Sequence, residues 1–414
     1  MFDILVLGGG FAGLWSAAAA TRLLRTHADL HPEAAGTTVA LLTPLPDLTL
    51  RPRLYQADPA GFRVPLDRVL GPVGVRRIAA TATAVDTGRR RVTAVAADGS
   101  RTEVGYRRLV LATGSAVVRP ELPGAPLLHD IDTLAAAVRL EDHLRALPQA
   151  PDGPGRWSAV VVGAGFTGLE LATELVGRLR AKAAPCGAEG QVRVILVERA
   201  AAVGEGLGEA ARPVIIRALD ELGVERRLGV TVTGLDEHAV HLSDGSALPA
   251  RTAVWTAGMR ASALTERIPA PRDGLGRLAV DARLRVSGVE GSIYAAGDTA
   301  AAMAEDGHPV PQSCQHATPL GKVAGHNAAA DLLGLPPVGF APDPYSTCLD
   351  LGAAGAVATA GFGRTLRRGP DGFAKELKRA INETWISPPV DDPEELLRRA
   401  DHRVSQRQSA PHPA

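Results

Sequence analysis

The chain has 414 residues, too many for one ordinary core and enough for two or three domains. Its 45 basic residues balance 45 acidic ones, and 45% of residues are hydrophobic against 22% charged. That composition fits a globular rather than a disordered chain and disfavours nucleic acid as a partner.

The first predicted strand runs from Phe2 to Leu7 and leads into the turn Gly8-Gly9-Gly10-Phe11-Ala12-Gly13, then an Ala/Leu-rich helix. A second strand is expected at 39–43. A hairpin signal at Asp98-Gly99 precedes a strand at 109–113, closed by Gly114. From residue 159 the plan returns: a strand at 159–162, the turn Gly163 to Gly168, a strand at 194–198, a hairpin at Asp244-Gly245, and a strand at 253–257 closed by Gly258. Gly8 maps to Gly163 and Thr43 to Glu198, each offset by 155 residues (163 − 8 and 198 − 43). The chain therefore reads as an α/β protein with two Rossmann-like dinucleotide-binding domains that arose by internal duplication.

In Gly-x-Gly-x-x-Gly the first glycine permits a sharp turn out of the strand. The second leaves room for the backbone to approach a pyrophosphate, and the third lets the helix pack closely. Unpaired N–H groups at the positive helix end then face the anion. The residue ending the second strand of each unit is placed to read a ribose, 33 residues after the second glycine in both copies (43 − 10 and 198 − 165). Glu198 can accept from both hydroxyls and repels a 2′-phosphate, which favours NADH over NADPH. Thr43 offers only a neutral hydrogen bond.

Three cysteines, Cys186, Cys314 and Cys348, form no CxxC pair, so a vicinal redox dithiol and a structural zinc site are not expected, and no metal is assigned. The four lysines among the 45 basic residues, Lys182, Lys322, Lys375 and Lys378, read as a compositional bias without mechanism. With a strand beginning at Phe2 and no apolar run near the ~20 residues of a membrane span, a cytoplasmic protein is expected.

The pieces Thr49 to Gln56, Leu111-Ala112-Thr113-Gly114, Gly163 to Glu170, Trp255-Thr256-Ala257-Gly258 and Tyr294-Ala295-Ala296-Gly297-Asp298 resemble, in this order, those of the two-dinucleotide flavoprotein reductases. Within that superfamily of pyridine nucleotide-disulfide oxidoreductases, the chain is most similar to type II NADH dehydrogenases and their actinobacterial homologues, from residue 2 to about 386. The resemblance implies FAD on the first copy, at Gly8, Gly10, Phe11, Ala12, Gly13, Thr43, Arg51, Thr113, Gly114, Gly297 and Asp298. It implies NADH on the second, at Gly163, Gly165, Gly168, Glu198 and Gly258, with Glu170 beside the nicotinamide. Quinone-reducing relatives carry Ala-Gln-x-Ala-x-Gln after the Ala-Ala-Gly-Asp piece. Here Gln315 keeps the first glutamine, Pro319 replaces the second, and Cys314 replaces the alanine, which weakens quinone as the acceptor.

The expected division is a discontinuous FAD domain (1–118 plus 280–338), an NADH domain (119–279), a C-terminal region (339–400) and a disordered tail (401–414). Phe373, Leu377, Ile381 and Trp385 recur every fourth residue, with Lys375, Lys378 and Arg379 off that line, as in an amphipathic helix. We read it as packed on the FAD domain or on a second subunit of a homodimer, in preference to the inner face of a membrane. The function expected is an FAD-dependent oxidoreductase that takes hydride from NADH and reduces a quinone or similar small molecule. The alternatives are a ferredoxin reductase, a biosynthetic tailoring reductase, and a redox sensor that binds NADH without turnover.

Overall fold

A computed structural model describes residues 1–289, 293–304 and 306–405. In the first unit strand β1 (Phe2–Leu7), helix α1 (Phe11–Thr26) and strand β2 (Val39–Leu42) form a parallel crossover, and strand β3 (Arg101–Leu111) lies on the other side of β1. In the second, strand β4 (Ser158–Val162), helix α2 (Phe166–Ala183), strand β5 (Arg193–Glu198) and strand β6 (Thr252–Trp255) repeat the arrangement. Leu5 pairs with Ala40 and Val160 with Ile195, so the register is the same in both, 35 residues along the chain (40 − 5 and 195 − 160). These strands are buried on both faces, which their runs of Val, Ile and Leu foreshadow.

Both hairpin signals form the expected turns, with Gly99 at φ 81° and Gly245 at φ 82°. Asp98 and Asp244 each accept the N–H two residues on, from Ser100 at 2.9 Å and Ser246 at 3.0 Å. Their settings differ. The first meander, Ala80–Asp86 and Arg91–Ala96, runs into the parallel sheet through the long β3. The second, Val232–Leu235, Ala239–Leu242 and Ala247–Pro249, is a separate three-stranded sheet. The two units are joined where Ser115–Val117 pairs antiparallel with Met259–Ala261.

The chain then returns to the first unit. Strand β7 (Ile293–Ala295) adds in parallel to β3, and helix α3 (Cys314–Leu332) packs on α1. That approach requires glycine: a Cβ on Gly321 would lie 2.3 Å from Ala12 O, and one on Gly325 2.0 Å from Ser16 O.

Strands β8 (Ser346–Asp350), β9 (Ala356–Ala360) and β10 (Thr365–Asp371) form an antiparallel sheet followed by helix α4 (Gly372–Ala380). The expected helix to Trp385 ends as an α-helix at Ala380 and continues as a π-helical turn, Ile381–Trp385. Its polarity also departs from the expectation. Lys375 and Lys378 point inward to carboxylates while Phe373 is 62% exposed, because buried acids on α2 and β8 outweigh the hydrophobic pattern. Among the described residues no helix is long and apolar enough to cross a membrane.

Residues 401–405, assigned to the tail from sequence, are packed against the first unit. Buried Asp401 pairs with Arg22 and Arg403, and Lys322 Nζ donates to Val404 O at 2.8 Å. Residues 406–414 of that expected tail lie outside the described residues.

Candidate functional site

The two glycine-rich turns open onto one cavity of about 1900 Å³. Gly8 and Gly163 adopt φ of 104° and 107°, a region costly for any side chain, and let the chain leave β1 and β4 sharply. A Cβ on Gly13 would lie 1.8 Å from Gly8 O, and one on Gly168 would lie 1.8 Å from Gly163 O, so the third glycine is what lets each helix close on its turn. A Cβ on Gly10 or Gly165 would meet nothing within 4 Å. That empty space is what a pyrophosphate requires. Neither helix N-terminus carries a side-chain cap, which leaves its first N–H groups available to an anion. The residues thus fit a dinucleotide at both turns.

Most of the expected ligand residues line the cavity: Gly8, Gly10, Phe11, Ala12, Thr43, Arg51, Thr113, Gly114, Gly297 and Asp298 from the first unit, Gly165, Glu170 and Glu198 from the second, and Gln315. Gly13, Gly163, Gly168 and Gly258 lie behind its wall and shape it. Gly258 (φ 74°) accepts from Val118 N at 2.8 Å, at the ribbon joining the units.

Asp298 follows β7 and faces the first turn. Its Oδ2 accepts from Ser115 Oγ at 2.6 Å and lies 3.8 Å from Arg51, which donates to Ser115 Oγ at 3.1 Å and pairs with Asp132. Burial raises the Asp298 carboxyl above the usual range, against the pull of Ser115 and Arg51. Thr43 is buried at the end of β2, beside Gly9.

Glu198 ends β5. Its carboxylate accepts from Ala164 N at 2.7 Å and Ala200 N at 2.9 Å, so it ties the glycine turn to the strand. A carboxylate has about four acceptor positions, which leaves room for ribose hydroxyls.

Glu170 is 5% exposed. Its Oε1 accepts from Lys378 Nζ at 2.7 Å and from Asp350 N at 3.0 Å. Burial raises its carboxyl, opposed by Lys378; for Lys378 burial works against the ammonium, but Glu170 outweighs it and the net direction is upward. Asp350 in turn accepts from Tyr55 Oη at 2.8 Å and pairs with Lys375. Glu170 is therefore no solvated acid of a first helical turn but part of a buried charge network.

The wall after Asp298 is the start of α3. Ser313 caps it, accepting from His316 N, and Gln312 Nε2 donates to Asp298 O at 3.3 Å. Pro319 has no N–H to give, so Gln315 O lacks its usual intrahelical donor. Burial pushes the Cys314 thiol up to about 11, which makes it a neutral hydrophobe at physiological pH.

Sequence reasoning missed Ser115, Asp132, Asp350, Lys375 and Lys378. The lysines did leave a signal. All four in the chain are engaged: Lys182 with buried Glu141, Lys375 with Asp350, Lys378 with Glu170, and Lys322 with Val404 O and the Trp15 ring. Each lysine thus sits where its compact ammonium meets a buried carboxylate, a carbonyl or a ring.

The chain matches the family described as pyridine nucleotide-disulphide oxidoreductase over residues 2–321. It is 46% identical over 411 residues to an NADH dehydrogenase-like protein of Mycobacterium tuberculosis (98% of this chain, 100% of the relative). It is 29% identical over 368 residues to the demethylphylloquinone reductase of Synechocystis sp. (86% and 85%). Among solved structures it superposes on NDH2 of Plasmodium falciparum in complex with NADH with a TM-score of 0.74 at 12% identity, covering 92% of this chain and 94% of the other.

Proposed function

The chain belongs to the pyridine nucleotide-disulphide oxidoreductase family, and from that premise we propose that it is an FAD-dependent NADH dehydrogenase reducing a quinone or quinone-like small molecule. The observation that carries this reading is that both glycine turns open on one cavity, about twice the upper volume of a single small-ligand pocket. Residues 1–118 with 280–338 hold FAD, residues 119–279 hold NADH, and residues 339–400 close the cavity from the far side. One face of the C-terminal helix packs on the protein, since its lysines Lys375 and Lys378 face buried acids.

When bound, FAD supplies a two-electron carrier between donor and acceptor. The chain's own groups bind, orient and exclude water. The N–H groups after Gly10 and Gly165 would hold the two pyrophosphates, and Asp298, steadied by Ser115 and Arg51, would hold the flavin nucleotide. Glu198 receives the ribose of NADH and disfavours a 2′-phosphate. Glu170, held by Lys378, stands on the cavity wall at the second turn, and Gln315 lines the acceptor side. The reaction balances as NADH, one proton and quinone yielding NAD⁺ and quinol.

Stopped-flow mixing tests this. NADH without acceptor should bleach the flavin faster than NADPH does, and an added quinone should restore it over repeated turnovers. A flavin that is reduced and then stalls before every quinone would point to the sensor reading instead.

A further inference from the structure

The cavity has a third wall, made by His316, Tyr345 and Arg364. His316 is 1% exposed. Its Nδ1 lies 2.9 Å from Ser313 Oγ, and its Nε2 is buried without a hydrogen-bond partner. Ser313 Oγ also accepts the His316 backbone N–H as the helix cap, and its own proton is free to go to Nδ1. In that tautomer the ring proton sits on Nε2, an unsatisfied donor. Burial and the Arg364 charge push the imidazole down to about 4, which keeps it neutral.

Arg364 lies 4.6 Å from the centroid of the Tyr345 ring, and that ring is 5.1 Å from the His316 ring. Its Nη1 is also buried without a hydrogen-bond partner. Arg364 holds a left-handed φ of 54° against Gly208, where a Cβ would come 2.4 Å from the Arg364 Cβ, so the hairpin is locked on the second unit. Arg367 and Arg368, on the following strand β10, also line the cavity. None of the three arginines is in a salt bridge among the described residues. An unpaired donor on a buried charged group is costly. Two polar groups without partners, both beside the Tyr345 ring, are the kind of place that a ligand's anionic oxygen would satisfy.

We propose that His316 and Arg364 form a subsite for an anionic oxygen on the electron acceptor, with Tyr345 beside its ring. The preferred acceptor is then a flat aromatic molecule bearing a carboxylate, a sulfonate or an ionised hydroxyl, rather than an uncharged long-chain quinone. This rests on the reading of the protein as an NADH-oxidising flavoprotein.

The test uses the FAD-loaded protein, reduced by NADH and reoxidised by 1,4-naphthoquinone-2-sulfonate or by uncharged 2-methyl-1,4-naphthoquinone. Arg364→Leu should slow reoxidation by the sulfonate about tenfold or more, as for a lost charge-assisted hydrogen bond, with less than about threefold change for the uncharged quinone. His316→Phe should give a smaller loss of the same selectivity. Binding of redox-inert 2-naphthoate to the oxidised protein, read from the flavin spectrum, should weaken in parallel. Equal losses with both quinones, or none, would overturn the proposal. So would slowed reduction by NADH, which would assign the guanidinium to the phosphates of NADH. A wild-type protein that NADH does not reduce would instead sink the functional reading, while the 2-naphthoate titration would still judge the subsite.

Discussion

The two dinucleotide units repeat down to single hydrogen bonds. Gly8 N reaches Leu42 O, and Gly163 N reaches Val197 O, both at 2.9 Å; Leu14 N reaches Gly10 O, and Leu169 N reaches Gly165 O, both at 3.0 Å. They part company in the side chains that meet the rest of the chain. Two residues after the third glycine the first unit has Trp15 and the second Glu170 (170 − 15 = 155), both buried and both met by cations from the far end of the chain. Lys322 and Arg399 lie 5.2 and 5.6 Å from the Trp15 ring, whereas Lys378 bonds Glu170 at 2.7 Å. At the strand end the contrast is Thr43 against Glu198. The backbone of a nucleotide cradle is thus one solution used twice. At these two matched positions the second copy carries a carboxylate where the first carries a neutral side chain.

The strongest way to break this comparison is to fill the empty space of each turn. Gly10→Val should give a folded protein that purifies without FAD. Gly165→Val should stay yellow but be reduced by NADH about 100-fold more slowly, the scale of a misplaced substrate. If Gly10→Val retains FAD and loses NADH, the copies are assigned the wrong way round.

Next comes the pair of buried cations. Lys378→Met strands Glu170 as an unpaired charge and should cost about 3–5 kcal/mol in urea unfolding, most of it recovered in Glu170→Gln/Lys378→Met. Lys322→Met removes a cation–π contact worth about 0.5–2 kcal/mol and should cost far less. Equal costs would erase the distinction between the units.

The smallest effect is a pH dependence. Burial pushes the Lys322 ammonium down to about 8, with Arg399 adding to the shift. A depressed folded pKa means the unfolded chain binds more protons between about 8 and 10.5, so stability rises with pH across that window. Between pH 7.5 and 9.5 the gain from this group is about 1–2 kcal/mol, and it should vanish in Lys322→Met when denaturant midpoints are compared.

What could be read from sequence was local. The glycines, the strand-end Glu198 and the turns at Asp98 and Asp244 act within a few residues of themselves, and backbone sterics write them directly into composition. Asp298 was found through a motif. Lys378 was misplaced because its partner is 208 residues away (378 − 170), and helical periodicity put it on a solvated face. The Ser115–Arg51–Asp298 chain has the same cause: three segments meet only because two sheets and their joining ribbon bring them together. The wall of His316, Tyr345 and Arg364 carried no pattern at all, since its parts come from a helix start, a loop and a hairpin end.

The Lys378–Glu170 contact also sets an order in time. A chain made from its N-terminus presents the second unit long before residue 378 leaves the ribosome, and until then Glu170 has no cation to meet. The carboxylate must stay hydrated or protonated meanwhile, so that unit reaches its final packing only once residue 378 is available. The first unit waits likewise for β7 and α3. Both cradles are built early and closed late, by the same returning stretch of chain.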